Sequence, residues 1–278
     1  MSISIRTNVS SVNAQRTLAK TQSALKDNMS KLSSGFRVRS AADDAAGLAI
    51  SEKMKAQIRS LSQAERNAND GISLIQTADG AMNELHGIMD RMRELGVQSA
   101  NGTYTDADRK FLNDEFGALK SEIDRIVKVT EFNGHKLADG TNTNITFQVG
   151  INSTANDKIT VSLASMGTSN LGDATKVSAL SVSSVTKALN AISQIDDAIS
   201  DISTQRSKLG AVQNRLQISV SNLASYSENL SSANSQIRDV DVANETADMA
   251  RNNILMQAGV SVLAQSNQMP QIALNLIG

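Results

Sequence analysis

Cysteine and tryptophan are absent from the 278 residues, and proline occurs once, at Pro270. Without cysteine there is no disulfide framework, no thiolate metal site and no cysteine nucleophile. A single proline leaves room for very long uninterrupted helices. Histidine is as scarce: His86 and His135 offer little material for a metal centre or a histidine-based acid–base system. The aromatics are two tyrosines and five phenylalanines. Neither sign of charge dominates, with Lys+Arg 27 against Asp+Glu 28 and a formal net charge of −1. That balance gives no electrostatic reason to expect nucleic acid or an anionic membrane as partner. No stretch approaches the roughly 20 continuous apolar residues that a membrane helix needs. The first residues, Met1 to Asn8, show no basic region followed by an apolar one, so a cleaved secretory signal is not expected. These absences point to structure and assembly rather than chemistry.

What the chain has is periodicity. Leu61, Ala68, Ile75, Met82 and Met89 repeat at seven, and Ala64, Gly71, Ala78, Leu85 and Met92 run beside them as the second series of a heptad seam. A longer seam reads Val185, Ala188, Ile192, Ile195, Ile199, Ile202, Leu209, Leu216, Val220, Leu223, Leu230 and Ile237, with polar members at Arg206, Gln213, Ser227 and Asn234. Each predicts a helix on the order of 80 Å long. Breakers set the boundaries: Ser33-Ser34-Gly35 ends a first helix, and Ser40 to Asp43 resembles a capping box opening the next. Asn101-Gly102 ends that helix, and Thr105 to Asp108 caps a shorter one carrying Leu112, Phe116, Leu119, Ile123 and Ile126.

Residues 131–174 change character. Asn133-Gly134 and Asp139-Gly140 are turn dipeptides. Ile145, Phe147, Val149 and Ile151 alternate, as do Ile159, Val161 and Leu163, which predicts one or two small hairpins. At the termini Leu18, Leu25 and Leu32 repeat at seven, and so do Leu255, Val262, Met269 and Leu276. The expected solution is that the terminal helices pair, with their remaining apolar surface covered by neighbouring subunits and the tails disordered before that. The expected fold is mainly α. It is a long antiparallel helical hairpin or coiled-coil rod with a small β-hairpin region at its tip and paired terminal helices. The expected domains are 1–40 with 240–278, an assembly domain; 41–130 with 175–239, a helical rod; and 131–174, the hairpin region.

No catalytic or ligand-binding pattern withstands comparison with a structural explanation. His86 lies at a seam margin and His135 follows a turn; Ser23 and Lys26 have S-x-x-K spacing without the companion motifs of a serine–lysine enzyme. Asn69-Asp70-Gly71 and Asp239-Val240-Asp241 lack calcium-loop spacing. Met54, Met82, Met89 and Met92 read as core rather than as an adaptable groove. Asp90 to Glu94 reads as a solvated charged face whose Arg91 and Arg93 can reach acids of a neighbour. Pro270 is expected to kink the last helix. No enzyme, cofactor or metal is expected.

Residues 32–50 (LSSGFRVRSAADDAAGLAI), 66–73 (RNANDGIS) and 91–101 (RMRELGVQSAN) resemble the N-terminal signature of bacterial flagellins. Residues 229–239 (NLSSANSQIRD) and 254–270 (ILMQAGVSVLAQSNQMP) resemble the C-terminal one. The resemblance implies a secreted, extracellular structural subunit of the helical flagellar filament used in swimming, without large outer domains. It implies other flagellin subunits, the cap and hook–filament junction proteins, an export chaperone and the type III export apparatus as partners, with no nucleic acid and no membrane. It also implies a surface for animal Toll-like receptor 5, to which Arg91, Leu95 and Glu115 match; Ala118 and Gly96 stand where receptor-activating relatives usually have glutamine and alanine. The assembly interface is expected on Leu18, Leu25, Leu32, Leu255, Val262, Met269 and Leu276. Alternative readings are a junction protein that caps rather than propagates, and a generic cytosolic coiled-coil scaffold.

Overall fold

The computed structural model describes residues 7–277 of the backbone and the side chains of 7–269. Its helices are α1 (Val9–Ser34), α2 (Ala45–Ala100), α3 (Asp106–Val129), α4 (Val185–Arg238) and α5 (Val242–Ile277). Between α3 and α4 lie β1 (Glu131–Phe132), β2 (His135–Lys136), β3 (Asn144–Gln148) and β4 (Lys158–Ser162). Contacts divide the chain into two compact units, Met1–Ala56 with Asn229–Gly278, and Gln57–Glu228.

The 57–228 unit is built on the seams. Every member of the double heptad of α2 from Leu61 to Met92 is buried. In α4, Ile195, Ile202, Leu209 and Leu216 are buried against it. The two helices run antiparallel: Arg93 meets Asp196, Asp79 meets Arg206, and Gly71 faces Leu216. The charged run therefore works within the chain, Arg93 bonding Asp196 at 2.7 Å and Arg91 bonding Glu94 and Glu115. Met82, Met89 and Met92 are wholly buried core.

Local chemistry explains the breaks. Gly35 closes α1 in the left-handed region at φ 74°, its N–H donating to the Lys31 carbonyl. The start of α2 is shifted from the expected box. Asp43 accepts from Ser40 in a preceding turn, and Asp44 caps the helix by accepting from the Gly47 N–H at 2.9 Å. Thr105 and Asp108 form the expected reciprocal capping box of α3. Both residues of the Asn133-Gly134 turn have positive φ, the pattern that lets a two-residue loop join β1 to β2.

β3 and β4 pair antiparallel from Asn144↔Ser162 to Gln148↔Lys158. This hairpin lies on the flank of α2 and α4 rather than beyond their ends. Asn67 bonds the Gln148 carbonyl, Phe147 packs at Gly71, and Gln205 bonds the Ser162 carbonyl. The reason is α3, whose 24 residues carry the chain back along α2, about 36 Å, before the strands begin. Residues 164–182 then run along α3 and α4, with Met166, Leu171, Val177, Leu180 and Val182 buried. Their backbone is held by Asp124 to Thr168, Lys120 to the Ser178 and Leu180 carbonyls, and Asn113 to Val182.

In the other unit α1 and α5 pack together, antiparallel. The chain breaks on both sides of this pair are stitched to each other. Phe36 bridges Asp239, and the Arg238 carbonyl accepts from the N–H groups of Arg37 and Val38. Arg238 also bonds Glu52 and lies 4.6 Å from the Phe36 ring centre.

Candidate assembly surface

The expected interface residues divide by helix. Leu18, Leu25 and Leu32 are half-buried members of a seam on α1 that reads Ser11, Ala14, Leu18, Thr21, Leu25, Asn28, Leu32. Their partners on α5 are Glu245, Met249, Asn252, Met256, Gly259, Leu263 and Ser266, spaced alternately four and three. Leu255, Val262 and Met269 lie on an adjacent stripe of α5 and are 50%, 55% and 58% exposed. The pairing of the termini is thus present, but α1 takes the stripe beside the one whose seven-residue repeat stands out in the sequence. The side chains of Leu276 and Pro270 lie outside the described residues, while the α5 backbone stays helical from Val242 to Ile277.

Gly259 explains part of that choice: a Cβ there would stand 3.4 Å from a Leu18 methyl, so the leucine beds against bare backbone. Beside Leu255, Val262 and Met269 the surface stays apolar at Ile254, which is also more than half exposed, whereas the exposed Val260 lies on the opposite side of the helix. On α1, Val9, Val12 and Met29 are open as well. Leu255, Val262, Met269 and Ile254 thus form an exposed apolar strip along one side of α5.

The three residues expected for receptor recognition do not share one surface role. Arg91 donates through Nε and Nη2 to Glu115 at 3.0 and 2.9 Å and through Nη1 to Glu94 at 2.8 Å, on an exposed face. Hydrogen bonds to Glu94 and then Glu115 hold its guanidinium above its ordinary range. Leu95 is fully buried in the core, so it presents no side chain outward. Gly96 lies where a Cβ would meet Ile192 at 3.0 Å, a packing constraint that motif matching does not reveal.

Among the described residues there is no cluster of three or more His, Cys, Asp or Glu able to hold a metal ion, and no helix long and apolar enough to cross a membrane. His86 lies 3.8 Å from Asp90 and His135 sits in β2.

Residues 5–143 match the bacterial flagellin N-terminal helical region, and residues 192–277 match the C-terminal helical region. The chain is 48% identical to a flagellin of Halalkalibacterium halodurans over 98% of its own length and 99% of that protein. It is 42% identical to the flagellar filament 33 kDa core protein of Treponema phagedenis, with the same coverage of 98% and 99%. Among solved structures, the crystal structure of Bacillus cereus flagellin matches with a TM-score of 0.50 at 32% identity, covering 61% of this chain and 94% of that one. A putative flagellar hook-associated protein from Vibrio parahaemolyticus matches at 0.61 but only 14% identity, covering 71% of this chain and 100% of that one, a likeness of fold alone.

Proposed function

The chain belongs to the bacterial flagellins, and from that premise we propose that the open face of α5, centred on Leu255, Val262 and Met269, is its polymerisation surface. The protein is a structural subunit of the flagellar filament and serves motility. Subunits add by contacts that do not close into a ring, so the assembly propagates as a helix. The observation that carries the reading is the half exposure of three large apolar side chains on a helix already paired with α1.

The finer parts of the role rest on family membership. The subunit is secreted through the type III export apparatus with an export chaperone, and is added under the cap beyond the hook–filament junction proteins. The junction-protein alternative has only a likeness of fold on its side, whereas the relatives matched at full length are a flagellin and a flagellar filament core protein. For Toll-like receptor 5, the contact falls to the exposed Arg91–Glu115 pair, with Leu95 supporting it from the core. A reporter assay in which Arg91→Ala signals as well as the parent removes that contact.

Seeded polymerisation tests the assembly reading. Val262→Asp places an unpaired charge in the apolar contact. Elongation is expected to fall about a hundredfold or more, equivalent to about 2.7 kcal/mol, with the 57–228 unit still folded. Filaments growing at the parental rate from this variant would remove the α5 face from the interface.

A further inference from the structure

Helix α5 carries two apolar stripes side by side, and α1 takes one of them. Met256 and Leu263, with Gly259 between, face α1; Leu255, Val262 and Met269 lie roughly a quarter turn away. Leucine heptads on α1 match either stripe, because both repeat at seven. Gly259 favours the covered stripe at one point only, so a further feature must settle which stripe is covered along its length and which is left for a neighbour.

Two polar layers bracket the seam. Near the chain breaks, Asn28 is 8% exposed and bonds twice, its Nδ2 donating to Glu245 Oε1 at 2.6 Å and its Oδ1 accepting from Asn252 Nδ2 at 2.9 Å. Lys31 stands 3.9 Å from the same Glu245 and 3.0 Å from Asp27. At the far end, Ser11 is 6% exposed and donates to Asn267 Oδ1 at 2.7 Å, while Asn8 Nδ2 donates to the Ser266 carbonyl at 2.8 Å. The flank of α5 differs along its length. Beside the Asn28 layer it carries the exposed Arg251–Asp248 pair, which a leucine seam does not match. Beyond residue 254 it is apolar except at Gln265, and there the bare backbone at Gly259 and the Ser11 layer distinguish the two stripes.

We propose that these two layers, Asn28 with Asn252 and Glu245, and Ser11 and Asn8 with Asn267 and the Ser266 carbonyl, select which face of α5 is buried against α1. They thereby determine which face remains for polymerisation. The inference rests on the assembly reading for its consequence, but not for the selection itself. A buried polar group whose partners exist in one arrangement disfavours arrangements that leave it unpaired. Polar seam positions set register and partner choice in coiled coils by the same means.

The absence of cysteine makes the test direct. Two full-length reporters carry Leu18→Cys with either Gly259→Cys or Val262→Cys, and are oxidised after seeding onto parent filaments and separately as monomer. Bonds within a chain are separated from bonds between chains by electrophoretic mobility. With the polar layers intact, the 18–259 bond forms within the chain and the 18–262 bond does not. Adding Ser11→Ala and Asn28→Leu is expected to raise the intrachain 18–262 bond to a yield comparable with 18–259. Restoring Ser11 as Ser11→Thr with native Asn28 returns the parental pattern. An unchanged pattern in the doubly substituted chain, or no 18–259 bond with the layers intact, overturns the proposal. If the unsubstituted parent does not elongate seeds, the assembly reading fails, while the ratio of 18–259 to 18–262 bonds in the transiently paired monomer, compared between parent and doubly substituted chain, still decides face selection.

Discussion

Arg109 is 5% exposed, and among the described residues its ion-pair partner is Asp106, at a long 3.5 Å. Its guanidinium instead donates to the carbonyls of Ser99, Tyr104 and Asn101 at 2.9, 2.7 and 2.8 Å, closing the orphaned end of α2. Arg109→Met leaves those carbonyls short of donors and is expected to cost about 3 kcal/mol, lowering Tm by roughly 10 °C in a thermal melt. Ten residues after Ser99 this arginine reads as an ordinary surface charge; only the folded turn reveals its task. Thr105 and Asp108 make a smaller contribution of the same kind. Hydrogen bonds from Thr105 hold the Asp108 carboxyl below the usual carboxylate range, and backbone N–H groups of Ser40 and Arg39 do so for Asp43. A carboxyl whose folded pKa lies below its unfolded value stabilises fully above the unfolded value, near pH 4. That stabilisation is lost as pH falls through the folded value. Tm should therefore decline below about pH 4, and Thr105→Ala should flatten part of the decline. At neutral pH the same substitution is expected to cost about 1 kcal/mol through the lost cap. An acid titration of Tm in parent and variant checks both.

At the scale of elements, the α2 seam was fully legible, because one face of a long helix packs against one continuous core and nothing else competes for it. The α4 seam was legible only in part. Ala191, Gln194, Ala198 and Gln205 are buried beside it, covered by irregular residues 164–182 whose path no periodicity announces. Gln194 accepts from the Thr175 N–H in that segment and Gln205 donates to the Ser162 carbonyl at the end of β4, so their burial follows from what packs over them rather than from helix pattern. The flank position of the β3–β4 hairpin escaped for a similar reason: it depends on the direction in which α3 returns. Gly71 marks where it docks. A Cβ there would stand 3.1 Å from both Leu216 and Phe147, so the absence of a side chain lets Phe147 seat between the helices. Gly71→Val is expected to push the hairpin away at a cost of roughly 1–3 kcal/mol. Hydrogen exchange of β3 and β4 amides should quicken while α3 amides stay protected; equal protection in both proteins would mean the helices part instead. On α5 the visible seven-residue repeat was the open stripe, because a helix apolar over so much of its circumference does not declare its inner face.

For the whole molecule, the two units differ in what they bury. The 57–228 unit holds a continuous apolar core from Ala68 through Leu216, contributed by its three helices, β4 and the irregular residues 164–182. In the other unit the fully buried apolar side chain, among the described residues, is Val38, while its other buried side chains, Ser11, Asn28, Ser51 and Ser266, are polar. Half-buried leucines between two helices offset little of the ordering entropy of 26 and 36 residues. The pair should consequently draw its order from neighbours, which links the open α5 face to the energetics of the subunit as well as to its partners. Hydrogen exchange on monomer and filament then has a definite pattern. Amides of 57–228 should be protected in both states. Amides of α1 and α5 should exchange readily in the monomer and gain at least roughly tenfold protection on polymerisation, about 1.4 kcal/mol. Val262→Asp should leave the monomer pattern unchanged and withhold that gain even with seeds present. Monomeric α1 and α5 as protected as α2 and α4 would mean that the helix pair is stable by itself, and that ordering of the ends is not coupled to assembly.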